Sequence, residues 1–453
     1  MILALICLAC LYLAYRLRSQ KLEDQFGINM YRVAEGVRQP TKGVLGYRHA
    51  QLAQIGLTFG VEGFFGVVFG VMYGPLAMIW CILGSALLGC FLNYYCGMYA
   101  VANNKSILSV LEKMWGYKTF ITVTVIVCLL LMIELGVNYV FLLNILSYAF
   151  APSPLWYLLL FVVIGLVFMR PKDFMRCCSV IGAMIILTTL IIVCASFDML
   201  KEFDTIGYRF DYPSIKNVYP VMFFTINVGV LSGVQALKCT LMSENLKNER
   251  MGRGVFMGTA LFQTGIVILL ILCFMAWNPY LRILSVAINQ IFAPDVILYE
   301  KLVSHTGKLS YYALFITMSA VCILSAGSLL RLGIKLCRDA RIFPKLSATT
   351  YGLILFIIAM GFLIVPFNMY GFELISMVLA VGLMMICLYL RRLKKQSIRW
   401  LLYAIYFFIS TCVAYFPIAV LHLPLRFGIL CGASAILLIL IWHYYYYRKK
   451  IKY

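Results

Sequence analysis

Four ionisable residues stand inside long apolar stretches of this chain: Glu62, Glu134, Lys238 and Arg331. An ionised side chain in hydrocarbon is costly, so each such residue needs a partner, water or a function. Two acids and two bases sum to zero, which permits mutual pairing. One reading has several of them lining a single polar cavity. The alternative treats each locally: Glu62 near the outer half meets water, while Lys238 and Arg331 snorkel to the inner surface. Glu134 is the deepest and the hardest to explain that way. Asn93, Asn227 and Gln235 add neutral hydrogen-bonding groups within the same stretches. Ser325 and Ser328 offer hydroxyl oxygens, a donor type that suits a hard cation such as sodium. Serine in a membrane helix also bonds its own backbone, so these two support a sodium site only weakly.

The composition makes these stretches membrane spans. Of 453 residues, 63% are hydrophobic and 12% are charged. A soluble chain of that size has no interior large enough for this apolar excess. The formal net charge of +21 is read through the excess of Lys and Arg in cytoplasmic loops of membrane proteins. No basic run interleaved with aromatic residues lies outside the spans, so nucleic-acid binding is set aside. The 16 Cys lie in apolar segments or in loops read as cytoplasmic, and the 4 His sit near span ends. They support neither a disulfide framework nor a metal centre. No cofactor is expected beyond a coupling ion, either a proton or sodium.

Apolar runs predict about thirteen transmembrane helices in an all-α polytopic protein. Residues 1–17 form an extra N-terminal helix and 18–49 a cytoplasmic loop. A first five-helix repeat occupies 50–198, and 199–216 is an outer loop. A second repeat occupies 217–390, with an outer re-entrant segment near 281–303. Residues 391–453 hold two C-terminal helices and a basic cytoplasmic tail. With the N-terminus outside, this list leaves only Lys201, Arg209, Lys216, Arg282, Lys301, Lys308 and Arg426 in outer loops. Lys238 and Arg331 lie within spans, and the other Lys and Arg face the cytoplasm. One missed span would invert every later loop, so the asymmetry supports the list.

Two spans are rich in glycine. The stretch 50–70 contains Gly56, Gly60, Gly63, Gly66 and Gly70, and 217–241 contains Gly229 and Gly233. Glycine permits unwound backbone, and it also permits close helix packing. The two spans are five apart, the arithmetic of a five-plus-five inverted repeat. Helix breaks at Gly60 and Gly63 and at Gly229 and Gly233 would expose backbone groups at mid-membrane, where such carriers bind substrates.

The run GVRQPTKGVLGYRHAQLAQIG at 36–56 resembles the segment before the first core helix of the carbon starvation protein family. GPLAMIWCILGSALLGCFLNYYCGMYAVANNKSI at 74–107 is similar to that family's second core helix. FFTINVGVLSGVQALKCTLMSENLKNERMGR at 223–253 resembles its FITIACGAISGFHATQSPxMARCLKNExxGR segment, and SAGSLLRLG at 325–333 is a weaker match. The resemblance implies a LeuT/APC-like inverted-repeat fold in the cytoplasmic (inner) membrane. It also implies uptake of pyruvate or peptides by symport with a cation. The chain departs from the family at several titratable positions, with Tyr47-Arg48 in place of paired His, Leu92-Asn93 in place of His-Asp, Gln235 in place of His, and Gly327 in place of Asp. Lys238 stands where the family has Gln, and Arg331 is kept. Either Glu62, Glu134 and Lys238 form a replacement set, or the substrate has changed.

The expectation is a secondary active transporter for a small carboxylate such as pyruvate, with the lipid bilayer and a small-molecule substrate as its partners. A peptide or amino-acid carrier of the same fold is the alternative, with Glu62 or Glu134 meeting the amino group. A sensor that kept the fold and lost ion coupling is a further alternative. An intramembrane enzyme is not expected, because no mid-membrane His or Asp and no large loop with paired carboxylates is present.

Overall fold

The computed structural model describes residues 8–17, 45–73, 75–150, 158–202, 233–246, 249–276, 307–362, 369–393, 399–419 and 430–439, with the single positions 6, 23 and 441. The regular structure among them is entirely helical. A helix satisfies its own backbone, which hydrocarbon cannot do for it. In chain order the helices are α1 (Leu8–Leu17), α2 (Tyr47–Tyr73), α3 (Pro75–Gly84), α4 (Cys90–Asn103), α5 (Val110–Trp115) and α6 (Tyr117–Phe150). They continue with α7 (Leu159–Phe168), α8 (Pro171–Ala195), α9 (Phe197–Glu202), α10 (Gly233–Met242) and α11 (Thr259–Ala276). The last are α12 (Lys308–Asp339), α13 (Ala348–Phe362), α14 (Met369–Leu393), α15 (Arg399–Ala419) and α16 (Leu430–Ile439). Among the described residues, five stretches are long and apolar enough to cross a membrane: Tyr117–Leu146, Pro171–Ala195, Arg253–Ala276, Lys308–Asp339 and Ile375–Leu393. The expected re-entrant segment, Asn227 and Gly229 lie outside the described residues.

α2 is the organising element. Its two halves meet at Gly60, whose φ of 55° and ψ of −172° interrupt the helix. A side chain is strongly disfavoured in that conformation. Gly63 does not form a second break. It lies in the helical part, and a Cβ there would strike the Phe59 ring, so its small size makes room for an aromatic residue. Gly233 is also helical. A Cβ on it would press into the backbone of Ala380, so it serves the close approach of α10 to α14.

Glycine also sets the crossing of α2 with α8. A Cβ on Gly56 would collide with the carbonyl of Cys178, and one on Gly182 with the carbonyl of Leu52. The two backbones are in direct contact, the packing expected where apolar lipid gives helices no hydrophobic reason to associate. Either Gly56→Val or Gly182→Val should therefore force the helices apart, at about 1–3 kcal/mol of overpacking. The expected result is a lower melting temperature for the detergent-purified protein. Retention of the parent melting temperature by both variants would show that α2 and α8 do not cross here.

α12 packs along α6, α2 and α8. α6 and α12 carry Glu134 and Ser325, and α10 carries Lys238, so the packing brings these side chains to the broken α2. π-helical turns at Ser85–Gly89, between α3 and α4, and at Arg253–Gly258, before α11, widen their helices locally. The two spans touch through Thr264 and Ser85, whose hydroxyl oxygens are 2.6 Å apart.

Candidate functional site

Glu62 follows the break by two residues and folds back on it. Its Oε2 occupies the space into which a Cβ on Gly60 would project. Its Oε1 lies 3.8 Å from Lys238 Nζ, with side-chain exposures of 1% and 0%. Lys238 Nζ donates to Ser325 Oγ at 2.9 Å. Glu134, also buried, lies within electrostatic range of both Glu62 and Lys238. Neither carboxylate accepts a hydrogen bond among the described residues. Three ionisable side chains from α2, α6 and α10 thus converge beside a helix break, with a hydroxyl from α12. Buried charges persist when paired or otherwise compensated.

The alternative that treats each charge locally does not hold for two of them. Glu62 is sealed from water, and Lys238 turns inward, so neither sits at a membrane surface. The long lysine stem lets its ammonium span from α10 to both α2 and α12. The ammonium also takes Ser325, one of the two hydroxyls anticipated for sodium. Ser328 donates to the Ser325 carbonyl at 2.7 Å, on its own helix. No group of three or more His, Cys, Asp or Glu side chains among the described residues is placed to hold a metal.

Arg331 is on the same helix as Ser325 but does not join the cluster. Its Nε donates to the Leu166 carbonyl at 2.9 Å and its Nη2 to that of Met169. Its guanidinium lies 4.2 Å from the centre of the Phe174 ring. It therefore caps the C-terminal end of α7, where carbonyls lack helical partners and a cation is favoured. Lys335, one turn on, donates to the Thr240 carbonyl near the end of α10 at 3.1 Å. These two bases, with Arg338 and Asp339, line a cavity of about 400 Å³. Arg331→Gln should lower thermal stability by about 1–3 kcal/mol, the cost of leaving carbonyl acceptors unmet. It should leave the KM for transport unchanged, and a raised KM would place Arg331 in the substrate site.

Asn93 is buried on α4, which packs against α10, and Gln235 is buried on α10 one turn before Lys238. Polar side chains outside the predicted set complete the surroundings. Gln263 on α11 donates from Nε2 to the Ile55 carbonyl at 3.0 Å and to Thr58 Oγ1 at 2.8 Å. Thr58 donates to the Gln54 carbonyl at 2.6 Å, and Gln54 Nε2 to Cys239 Sγ at 3.1 Å. This relay ties the half of α2 before the break to α11 and α10 without charge. Asn138 Nδ2 donates to the Glu134 carbonyl at 2.7 Å and so fixes the backbone below that acid. Neutral amides in apolar spans are the signal by which sequence alone would find Gln54, Gln263 and Asn138.

Solved structures share this arrangement of helices. The crystal structure of MhsT in complex with L-phenylalanine matches with a TM-score of 0.58 at 13% identity, over 88% of this chain and 99% of that one. A Na+-coupled sialic acid symporter, in a substrate-bound outward-open state, matches with a TM-score of 0.57 at 12% identity, over 96% of this chain and 95% of that one. The chain has the LeuT-like fold. By sequence, the chain is 24% identical over 330 residues to an uncharacterized membrane protein of Haemophilus influenzae, covering 58% of this chain and 87% of that protein. No family model matches the chain. It is an all-helical membrane protein of LeuT-like fold with buried ionisable side chains gathered at its broken helix.

Proposed function

We propose that the chain is a secondary active transporter that carries a small organic solute across the cytoplasmic membrane by alternating access. Its solute site is the break in α2. The observation that carries this reading is the convergence of Glu62, Glu134 and Lys238 on the break at Gly60. A broken helix presents free backbone N–H and C=O groups at mid-membrane, and these recognise charged ends of small molecules. A closed structural bundle has no use for three buried ionisable groups, since an apolar core of equal volume is as stable or more so.

The resemblance to the carbon starvation family favours a small carboxylate such as pyruvate, held by the amides of the break. A second reading, an amino-acid or peptide carrier, draws on the charges themselves. Lys238 is already engaged by Ser325 and Glu62, and acids outnumber bases in the cluster. An amino group would find a carboxylate waiting, whereas a lone carboxylate would meet a net negative site. In either case loop 18–49 and the C-terminus face the cytoplasm, by the distribution of Lys and Arg.

Uptake of labelled pyruvate, amino acids and dipeptides into proteoliposomes separates these readings. Saturable uptake and counterflow of one class are expected. Absence of counterflow for every class in protein that remains folded would contradict the carrier reading and favour a sensor.

A further inference from the structure

We infer that the cavity at the end of α12 binds the phosphate of an anionic membrane lipid, at a site separate from the break in α2. The cavity holds about 400 Å³, within the range of small-molecule sites. Among the described residues none of Glu62, Glu134 and Lys238 lines it. Its walls are helix ends. The last turns of α12 meet the end of α7, the start of α8, the end of α10 and the start of α13. A cavity framed by the ends of five helices lies at the edge of the apolar layer, not at its centre. Lipid phosphates lie at that level.

One wall is basic. Among the described residues it carries Arg331, Lys335 and Arg338, with Asp339 as its acid. The three bases recur at helical spacing on α12 and so share a face. Two of them are already positioned. Arg331 donates to the Leu166 and Met169 carbonyls, and Lys335 to the Thr240 carbonyl. A carbonyl orients a base and leaves its positive charge in place. Asp339 is engaged by the backbone, accepting from the Ser106 N–H at 2.6 Å. Fixed guanidinium and ammonium groups bind phosphate through charge-assisted hydrogen bonds. Basic pockets between membrane helices take anionic head groups in this way. The opposite wall, with Phe168, Met169 and Phe174, is apolar, which a soluble phosphate could not use. Met169 also continues an exposed strip along α7 that includes Val162 and Leu158. An acyl chain laid on that strip would bring its phosphate to the bases.

Thermal melts of the detergent-purified protein, titrated with phosphatidylglycerol, test this without a known solute. Phosphatidylglycerol should raise the wild-type melting temperature in a saturable way, and phosphatidylcholine at the same mole fraction should not. In the double variant Lys335→Gln, Arg338→Gln the titration midpoint should rise about tenfold or more, because two cationic contacts are removed. Arg392→Gln, which removes an exposed base at the end of α14, should keep the wild-type midpoint. Inorganic phosphate and glycerol phosphate at equal ionic strength should leave the wild-type melting temperature unchanged. Arg338 is exposed, so Arg338→Gln alone decides if the double variant does not fold, and a raised midpoint is expected there too. A wild-type midpoint in the folded variants, equal stabilisation by phosphatidylcholine, or a response matched by inorganic phosphate would overturn the inference. No flux is measured, so the outcome stands apart from the carrier reading.

Discussion

Lys238→Met is expected to abolish solute uptake and to lower the melting temperature by several degrees or more. The variant keeps the volume of the side chain and deletes its charge. Glu62 and Glu134 are then left buried with no cation, and Ser325 loses its donor. Removing one member of a buried pair costs about 3–5 kcal/mol. Lys238→Gln, which supplies a donor for Ser325 but no charge, should fold better and transport with altered affinity. The measurement is uptake per reconstituted molecule beside a thermal melt. Wild-type kinetics in both variants would mean that the ammonium is structural filler.

The second large effect belongs to Gly60. Gly60→Ala places a methyl group where Glu62 Oε2 now sits, in a backbone conformation that side chains avoid. The strain alone is worth about 1–3 kcal/mol. The chain can relieve it by closing the break into continuous helix, which withdraws the free backbone groups and expels the carboxylate from them. Uptake should fall by at least tenfold, while the protein remains folded because a continuous helix is itself stable in the membrane. Undiminished uptake in Gly60→Ala would show that solute recognition does not use this break.

The cluster was legible in the sequence for a thermodynamic reason. Glu62, Glu134 and Lys238 are expensive in apolar surroundings, so their residue types alone announce a compensating arrangement. The break at Gly60 was legible more coarsely. Glycine at 56, 60 and 63 has the same composition but three different uses: contact with α8, a positive φ, and room for Phe59. Only the backbone in three dimensions distinguishes them. Arg331 was grouped with the candidate solute-site residues because its charge is as costly as that of Lys238. Its partners are carbonyls 165 and 162 residues away in sequence, and no local pattern shows that α7 ends beside it. Gln263 and Gln54 were passed over because a neutral amide costs far less to bury than a charge. Their placement around the break becomes visible only when α10 and α11 are packed against α2.

Solute flux through reconstituted protein, compared across three variants, tests the central claim most directly. With the solute class that the wild-type protein carries, Gly60→Ala and Lys238→Met should lose saturable uptake, and Arg331→Gln should keep the wild-type KM. Wild-type uptake in Gly60→Ala and Lys238→Met, or loss of uptake confined to Arg331→Gln, would contradict a solute site built on the break in α2.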